Sequence, residues 1–354
     1  MCKESSDVEE AVRLVVSNGA RLPVRFWRPA ELARNIGGLT QMSNVSSRVA
    51  TVLERYALRT PHGVGELPGS KRNENLVVED GEGHRYVLRW YRRNPDVGRI
   101  RFQLRFQEHL AEAGIPTSRI VEADHGEPLL VDRDEVYVLF TYVAGSEYDF
   151  ENRDQVREAA RWLVRFHVAA GSFVDDGQVG LATIPDVRRW WTDGERELAS
   201  LEQMFDRHGV VDELGFLRAW HRELLMEWPL ERLDALPSGW VHGDYHGRNM
   251  VFDGNRLRGL FDFDVVHRGY RIEDVAYAVF SFARPRRDSH RVRADVARLF
   301  VAEYAREYPL SSAEFEALPA MAAAVQARTA PRYELRRRLG EDPAEALREH
   351  VARM

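Results

Sequence analysis

Between Met250 and Phe263 the sequence changes period. Two short apolar runs flank Asp253-Gly254-Asn255 and read as a β-hairpin, inside a region whose apolar spacing is otherwise helical. With Gly254 and Asn255 at the tip, Asp253 faces Arg256, Asn249 faces Leu260, and Asp262 lies diagonally next to Asn249 on the same face. One amide carbonyl and one carboxylate then converge. Hard oxygen ligands of this kind, few in number and completed by phosphate oxygens and water, suit Mg²⁺ carrying a nucleotide. Asp244 lies five residues before Asn249 in His242-Gly243-Asp244-Tyr245-His246-Gly247-Arg248-Asn249. A carboxylate on that loop is placed to accept a proton from an attacking hydroxyl.

The hairpin interrupts a longer division of the chain. Leu76-Val77-Val78, an Asp80-Gly81 turn and the run Tyr86 to Tyr91 predict a first strand pair, and Leu129 to Val143 predicts a second around Asp132-Arg133-Asp134. A helix over 97–113 lies between them and is stopped by Gly114 and Pro116. After Gly145 helical spacing covers 155–170, 187–208, 211–226, 272–282, 292–307 and 313–338. The expected organisation is an N-terminal extension over 1–45, a β-rich lobe over 46–143 and a larger, mainly helical lobe over 144–354.

The wording of the motif narrows the reading. His-Gly-Asp-x-His-x-x-Asn, then Phe261-Asp262-Phe263-Asp264, then Asp274-Val275-Ala276 resembles the aminoglycoside phosphotransferase superfamily, which includes type II homoserine kinases and choline, fructosamine and methylthioribose kinases. The resemblance runs over roughly residues 46 to 340 and implies an α+β, two-lobed protein-kinase-like fold that uses ATP and Mg²⁺. By it Asp244 is the catalytic base, Asn249 and Asp262 hold the metal, and His242 and Asp274 support the loop. His246 stands where protein kinases place a lysine on the γ-phosphate.

On the nucleotide side, Arg89 of Val87-Leu88-Arg89 occupies the place of the strand lysine that meets the α and β phosphates. The expected helix acid is replaced by Gln103, whose carbonyl remains able to accept from Arg89. Ser70 and Lys71 sit in a turn ahead of the strands; the run fails the P-loop pattern because Ser70 stands where its second glycine belongs. Phe140-Thr141-Tyr142-Val143 resembles the hinge, where the backbone of Thr141 and Val143 would pair with adenine.

The stretch from Asp264 to Ile272 leaves no room for a peptide-binding segment, so a small hydroxyl acceptor is expected. Asp264, Glu273, Tyr277, Glu303, Tyr304 and Glu334 offer acidic and aromatic groups for a cationic acceptor. Trp190, Trp191 and Trp220 read as core. Two rival readings stand beside the kinase. Gln103 favours a catalytically weak nucleotide-binding or scaffold member of the same fold. Alternation of His242, Asp244 and His246 along an extended strand favours a metal-dependent hydrolase, against which Gly243 and Gly247 argue for a loop.

Composition excludes other classes. The net charge of -6 provides no positive field for nucleic acid, and no apolar run reaches the roughly 20 residues of a membrane span. Cys2 is the only cysteine and the first ten residues have no apolar core, which leaves the cytoplasm as the expected location.

Overall fold

The computed structural model describes residues 40–41, 47–56, 58, 63–66, 73–92, 95–175, 187–206, 208–286, 289–327, 329–338 and 340–354. Ser70 and Lys71 lie outside the described residues, as does most of the expected N-terminal extension. The fold is α+β with two lobes.

The small lobe is built on one sheet. Its strands are β1 (Thr40–Gln41), β2 (Gly63–Glu66), β3 (Glu74–Glu79), β4 (Arg85–Tyr91), β5 (Ile120–Val121), β6 (Leu130–Asp132) and β7 (Glu135–Thr141). They run in the order β1-β2-β3-β4-β7-β5, with β6 also paired to β7. Thr40 and Gln41, expected in the extension, add an edge strand to β2.

Alternation along β4 and β7 gives the sheet two apolar faces. Helix α1 (Ser47–Leu53) packs Val49, Val52 and Leu53 against Leu88, Trp90, Tyr137 and Leu139. Helix α2 (Val97–Glu112) packs Ile100 and Leu104 against Tyr91, Val136, Val138 and Phe140 on the opposite face. Arg89 shares the α2 face with Val87 and Tyr91, which directs its side chain toward the large lobe. Asp96 caps α2 by accepting from the Arg99 N–H at 2.9 Å, and Gly114 at φ 87° ends the helix in the left-handed conformation that glycine adopts without strain.

The large lobe contains α3 (Arg153–Gly171), α4 (Arg189–Thr192), α5 (Gly194–Phe205), α6 (Val211–Glu227), α7 (Leu230–Asp234), α8 (Arg271–Phe282), α9 (Ala294–Glu307), α10 (Ser312–Gln326), α11 (Ala330–Arg338) and α12 (Pro343–Val351). Two strand pairs lie among these helices. β8 (Ser238–Val241) pairs with β11 (His267–Tyr270), and β9 (Met250–Asp253) pairs with β10 (Arg256–Leu260). Helix α8 is at the centre, with Ile272, Val275, Ala276, Ala278, Val279 and Phe282 all buried.

Several expectations change. The helix expected over 187–208 is broken at Asp193, where Gly194 lies so close to the His221 ring that any Cβ would collide with it. The helix expected over 313–338 stops at Gln326 and restarts with Pro331 in its first turn, where a missing N–H is tolerated, whereas continuation through that proline would lose a hydrogen bond. Pro319, in contrast, is accommodated within α10. The β8–β11 pair was not visible as alternation, and its central residues Gly239 and Gly269 explain why.

The register of the key hairpin also differs. Asp253 opposes Arg256 as expected, but a bulge between Leu257 and Gly259 moves Met250, not Asn249, opposite Leu260. Gly259 permits the bulge: the Phe261 ring covers it, at 2.3 Å from where a Cβ would stand. Asn249 instead accepts the Phe261 N–H on its main-chain oxygen at 2.9 Å.

Candidate active site

The loop after β8 is fixed mainly by one buried carboxylate. Asp274, in the first turn of α8, accepts the N–H groups of His242 at 2.7 Å and Gly243 at 2.9 Å, and its Oδ2 meets His167 Nε2 at 3.1 Å. His167 in turn reaches the Tyr304 hydroxyl at 2.8 Å. Burial alone would raise the Asp274 carboxyl, but His167, His242 and the loop N–H groups outweigh it and hold the group below the ordinary carboxylate range. The Gly243 backbone at φ 74° passes beside the Val265 carbonyl, 2.9 Å from where a Cβ would stand, so the turn requires glycine. Tyr245, fully buried, donates to the Ala159 carbonyl at 2.8 Å and ties the loop to α3.

His242 is buried and its tautomer follows from its partners. Nε2 faces the Phe261 carbonyl at 3.2 Å, and Nδ1 faces the Asp244 N–H at 3.4 Å. Burial lowers its pKa more than the nearby carboxylates raise it, so the ring is neutral. With both nitrogens engaged, His242 is no metal ligand. Among the described residues no group of three His, Cys, Asp or Glu side chains is placed to share a metal.

Asp244 keeps a third of its side chain exposed. The Tyr277 hydroxyl donates to Oδ1 at 2.7 Å, while His246 Nε2 and Asn249 Nδ2 each stand 3.4 Å from Oδ2. Burial pushes this carboxyl up, yet the neighbouring His246 ring and the hydrogen bond from the Tyr277 hydroxyl prevail and hold it far below the usual carboxylate range. It is ionised throughout the physiological range. His246 also accepts the Asn249 N–H on Nδ1 at 3.2 Å, which closes the turn from Gly247 to Asn249.

Asn249 spends its Nδ2 on the Asp244 carbonyl at 3.0 Å, and among the described residues its Oδ1 accepts no hydrogen bond. Asp262 sits at φ 66° with Oδ1 buried and, among the described residues, without a hydrogen-bond partner. An amide oxygen and a carboxylate oxygen, the latter 3.6 Å from Arg89 Nη2, thus accept no hydrogen bond among the described residues, one on the loop and one on the segment after its hairpin. That donor set fits a divalent cation that takes its remaining ligands from phosphate and water.

Beside Asp244 lies an open cavity lined by Trp190, Gly243, His267, Glu273, Tyr277 and Arg332, among others. Glu273 closes a capping box with the Tyr270 N–H at 2.8 Å, and its other oxygen lies 3.5 Å from His267 Nε2. Burial lowers the His267 pKa, but Glu273 and the Val265 carbonyl outweigh it and the net shift is upward.

The comparisons with known proteins agree with this geometry. Residues 64–310 match the model of the phosphotransferase enzyme family. The chain belongs to that family. Homoserine kinase of Phenylobacterium zucineum is 28% identical over 279 residues, covering 77% of this chain and 80% of the relative. That of Rhodospirillum rubrum is 29% identical over 280 residues, with the same coverage of each chain. A microcompartment-associated aminopropanol kinase superposes with a TM-score of 0.67 at 20% identity, over 86% of this chain and 94% of that one. An amicoumacin kinase in complex with AMP-PNP, Ca²⁺ and its antibiotic superposes at 0.64 and 17% identity, over 86% and 93%. These last two establish the fold. As a phosphotransferase of this family, the chain is an ATP-using small-molecule kinase acting on a hydroxyl group.

The motif residues His242, Asp244, His246, Asn249 and Asp274 are brought into one hydrogen-bonded group, and Tyr277 joins them. Four expected acceptor residues lie elsewhere. Asp264 is turned onto Arg89 at 2.5 Å. Glu334 is clasped by Arg337 and Arg338 of its own helix, which hold its pKa at about 2. Glu303 pairs with Arg161, and Tyr304 is fully buried against His167. Trp190, read as core, is buried and also walls the cavity. Gln103 does not accept from Arg89; its Nε2 donates to the Asp264 carbonyl at 3.0 Å. The Thr141 N–H is spent on the Arg119 carbonyl at 2.8 Å and is closed to adenine, whereas the Val143 N–H has no partner among the described residues.

His167, Arg99 and Arg332 were missed. His167 and Arg99 each interrupt the apolar face of a helix, and a polar side chain at such a position is the signal that marks them. Arg332 carries no comparable signal.

Proposed function

We propose that this phosphotransferase moves the terminal phosphoryl group of ATP to the hydroxyl of a compact amino alcohol or hydroxy amino acid. Asp244 is the base, and Asn249 and Asp262 are the magnesium ligands. The observation that carries the proposal is the position of Asp244. Tyr277, in the cavity wall, orients one of its oxygens, while the Asn249 amide that shares the metal task is bonded to its main chain.

A bound divalent cation would neutralise charge on the transferring phosphoryl group. The chain's own residues supply orientation and proton acceptance. Asp244 is a weak base, held ionised by His246 and Tyr277, so it takes the hydroxyl proton late, once bonding to phosphorus has made that proton acidic. Until then it fixes the hydroxyl by accepting its hydrogen bond, a contribution from proximity.

The cavity favours an acceptor bearing both charges. Glu273 supplies an acidic group, Arg332 a cation, and Trp190 and Tyr277 aromatic faces. The homoserine kinase relatives point to the same class. The weak-scaffold reading loses its main support, because Arg89 has an acid partner in Asp264 despite Gln103.

The test is release of ADP from Mg·ATP across homoserine, aminopropanol, choline, a fructosamine and a set of aminoglycosides. Turnover with a small amino alcohol or amino acid is expected. Turnover with aminoglycosides alone would overturn the acceptor assignment, and binding of ATP without turnover on any hydroxyl would restore the scaffold reading.

A further inference from the structure

Arg89 comes from the small lobe and its acid from the large one. Its Nη2 meets Asp264 Oδ2 at 2.5 Å across 175 residues of sequence, while Asp262 Oδ1 stands 3.6 Å away, beyond hydrogen-bond reach. Asn73, with its amide oriented to satisfy both groups, accepts from Arg89 Nε at 3.2 Å and Nη2 at 2.8 Å. A guanidinium carries five N–H groups, of which one is on Nε and two are on each terminal nitrogen. The Nε hydrogen and both on Nη2 are therefore taken. The two on Nη1 make no hydrogen bond among the described residues.

The acid that holds this edge is itself held. Gln103 Nε2 and Arg99 Nη2 both donate to the Asp264 main-chain carbonyl, at 3.0 and 2.9 Å, and Arg99 reaches the Val266 carbonyl at 2.9 Å. Helix α2 thus offers two donors to the loop instead of an acid to the cation. The contact is inverted relative to a strand cation paired with a helix acid.

We propose that Asp264 is the positioning residue for Arg89. It accepts from Nη2 while Asn73 holds the Nε–Nη2 edge, so that Nη1 faces the nucleotide phosphates, and Gln103 and Arg99 act through Asp264 by fixing its main chain. The inference rests on the nucleotide reading of the cleft. Because Asp264 lies two residues after Asp262, a single short segment sets both the phosphate cation and a metal ligand. A lysine has no second edge to offer, which gives arginine a reason to stand at this strand position.

The experiment is calorimetry of the full chain with Mg·AMP-PNP and, separately, with adenosine, which lacks the phosphates. Asp264→Asn is expected to weaken Mg·AMP-PNP roughly tenfold or more, the scale of one charge-assisted hydrogen bond, and to leave adenosine unchanged. Arg89→Ala should weaken Mg·AMP-PNP at least as much, and the double variant should be no worse than Arg89→Ala alone. Equal weakening of both ligands would make Asp264 a structural residue and overturn the proposal. So would additive losses, or tighter Mg·AMP-PNP binding in Asp264→Asn, which would mean that Asp264 competes with phosphate for Arg89. Should Asp264→Asn fail to fold, Gln103→Met removes one of the donors that fix Asp264. It should weaken Mg·AMP-PNP and spare adenosine, and no change in either would overturn the proposal. A wild-type chain that binds neither ligand removes the nucleotide reading itself, and the role of Asp264 with it.

Discussion

The two sides of the cleft hold their charged groups in different ways. On the large-lobe side, residues 242 to 249 are tied by bonds spanning a few residues and by long contacts, foremost from Asp274, which is fully buried, and also from Tyr277 and to Ala159. On the small-lobe side, Arg89 stands on a regular strand and depends on Asp264, far along the chain and a fifth exposed. The first arrangement is rigid because its acceptor is fully buried and every bond it makes is made inside the protein. The second can open when the lobes separate, since both partners keep some contact with water. On the proposed function, the proton acceptor stands on the rigid side and the phosphate cation on the other.

The largest effect expected from this comparison is on turnover. Asp244→Asn keeps the shape of the loop and removes the proton acceptor, so turnover should fall by roughly 10² to 10⁴ while Mg·ATP affinity, read by calorimetry, stays near the wild-type value. Asp262→Ala should weaken Mg·ATP as well. Near-normal turnover in Asp244→Asn would leave positioning alone to explain the catalysis.

The same contrast governs what could be read from sequence. The loop was legible because its residues are neighbours in the chain: Asp244, His246 and Asn249 interact at separations of two to five. Their hydrogen bonds follow from local backbone geometry. The partner of Arg89 was not legible. Asp264 counts, from sequence, among the acidic groups after the loop that would suit a cationic acceptor, and nothing in its neighbourhood announces a cation 175 residues away. The bulge at Gly259 escaped for a related reason. A glycine in a strand pattern permits a bulge, but only the Phe261 ring lying over it shows that one is present. The fold itself was legible in outline, since apolar period separates the β-rich from the helical part. The helix breaks at Asp193 and after Gln326 depend on tight packing and on one proline.

The next effect is on stability. Asp274→Ala removes the acceptor of two loop N–H groups and of His167, all at a fully buried carboxylate. At about 1–3 kcal/mol for each buried group left unsatisfied, a loss of about 3 kcal/mol or more is expected in urea unfolding. Asp264→Ala, at the more exposed pair, should lose less. Equal losses would remove the distinction between a rigid and an opening side.

Ligand binding sharpens the comparison from the other direction. Asn249 and Asp262 offer too few oxygens to hold a cation without phosphate, so Mg²⁺ alone should leave the melting temperature nearly unchanged. Mg²⁺ with ATP should raise it, by an amount equivalent to about 2.7 kcal/mol when the nucleotide is a hundredfold above its dissociation constant. A full shift with Mg²⁺ alone would point to a metal site independent of phosphate.

The smallest effect concerns His267, which lies behind the loop and beside the cavity. Its imidazole faces Glu273 and, more distantly, Asp274, both on α8, and its Nδ1 contacts the Val265 carbonyl. These groups favour the charged ring more than burial opposes it, so its folded pKa lies above the unfolded value near 6.5. A group raised in this way stabilises the fold fully below its unfolded pKa and loses that contribution as pH rises through the folded one. The difference in unfolding free energy between wild type and His267→Gln should therefore be larger at pH 6 than at pH 8.5. His242 shifts in the opposite direction, with a folded pKa below the unfolded one, and its contribution is lost as pH falls. Comparing His267→Gln with wild type isolates the first effect, because His242 is present in both chains. A difference independent of pH would show that His267 is neutral in the folded protein.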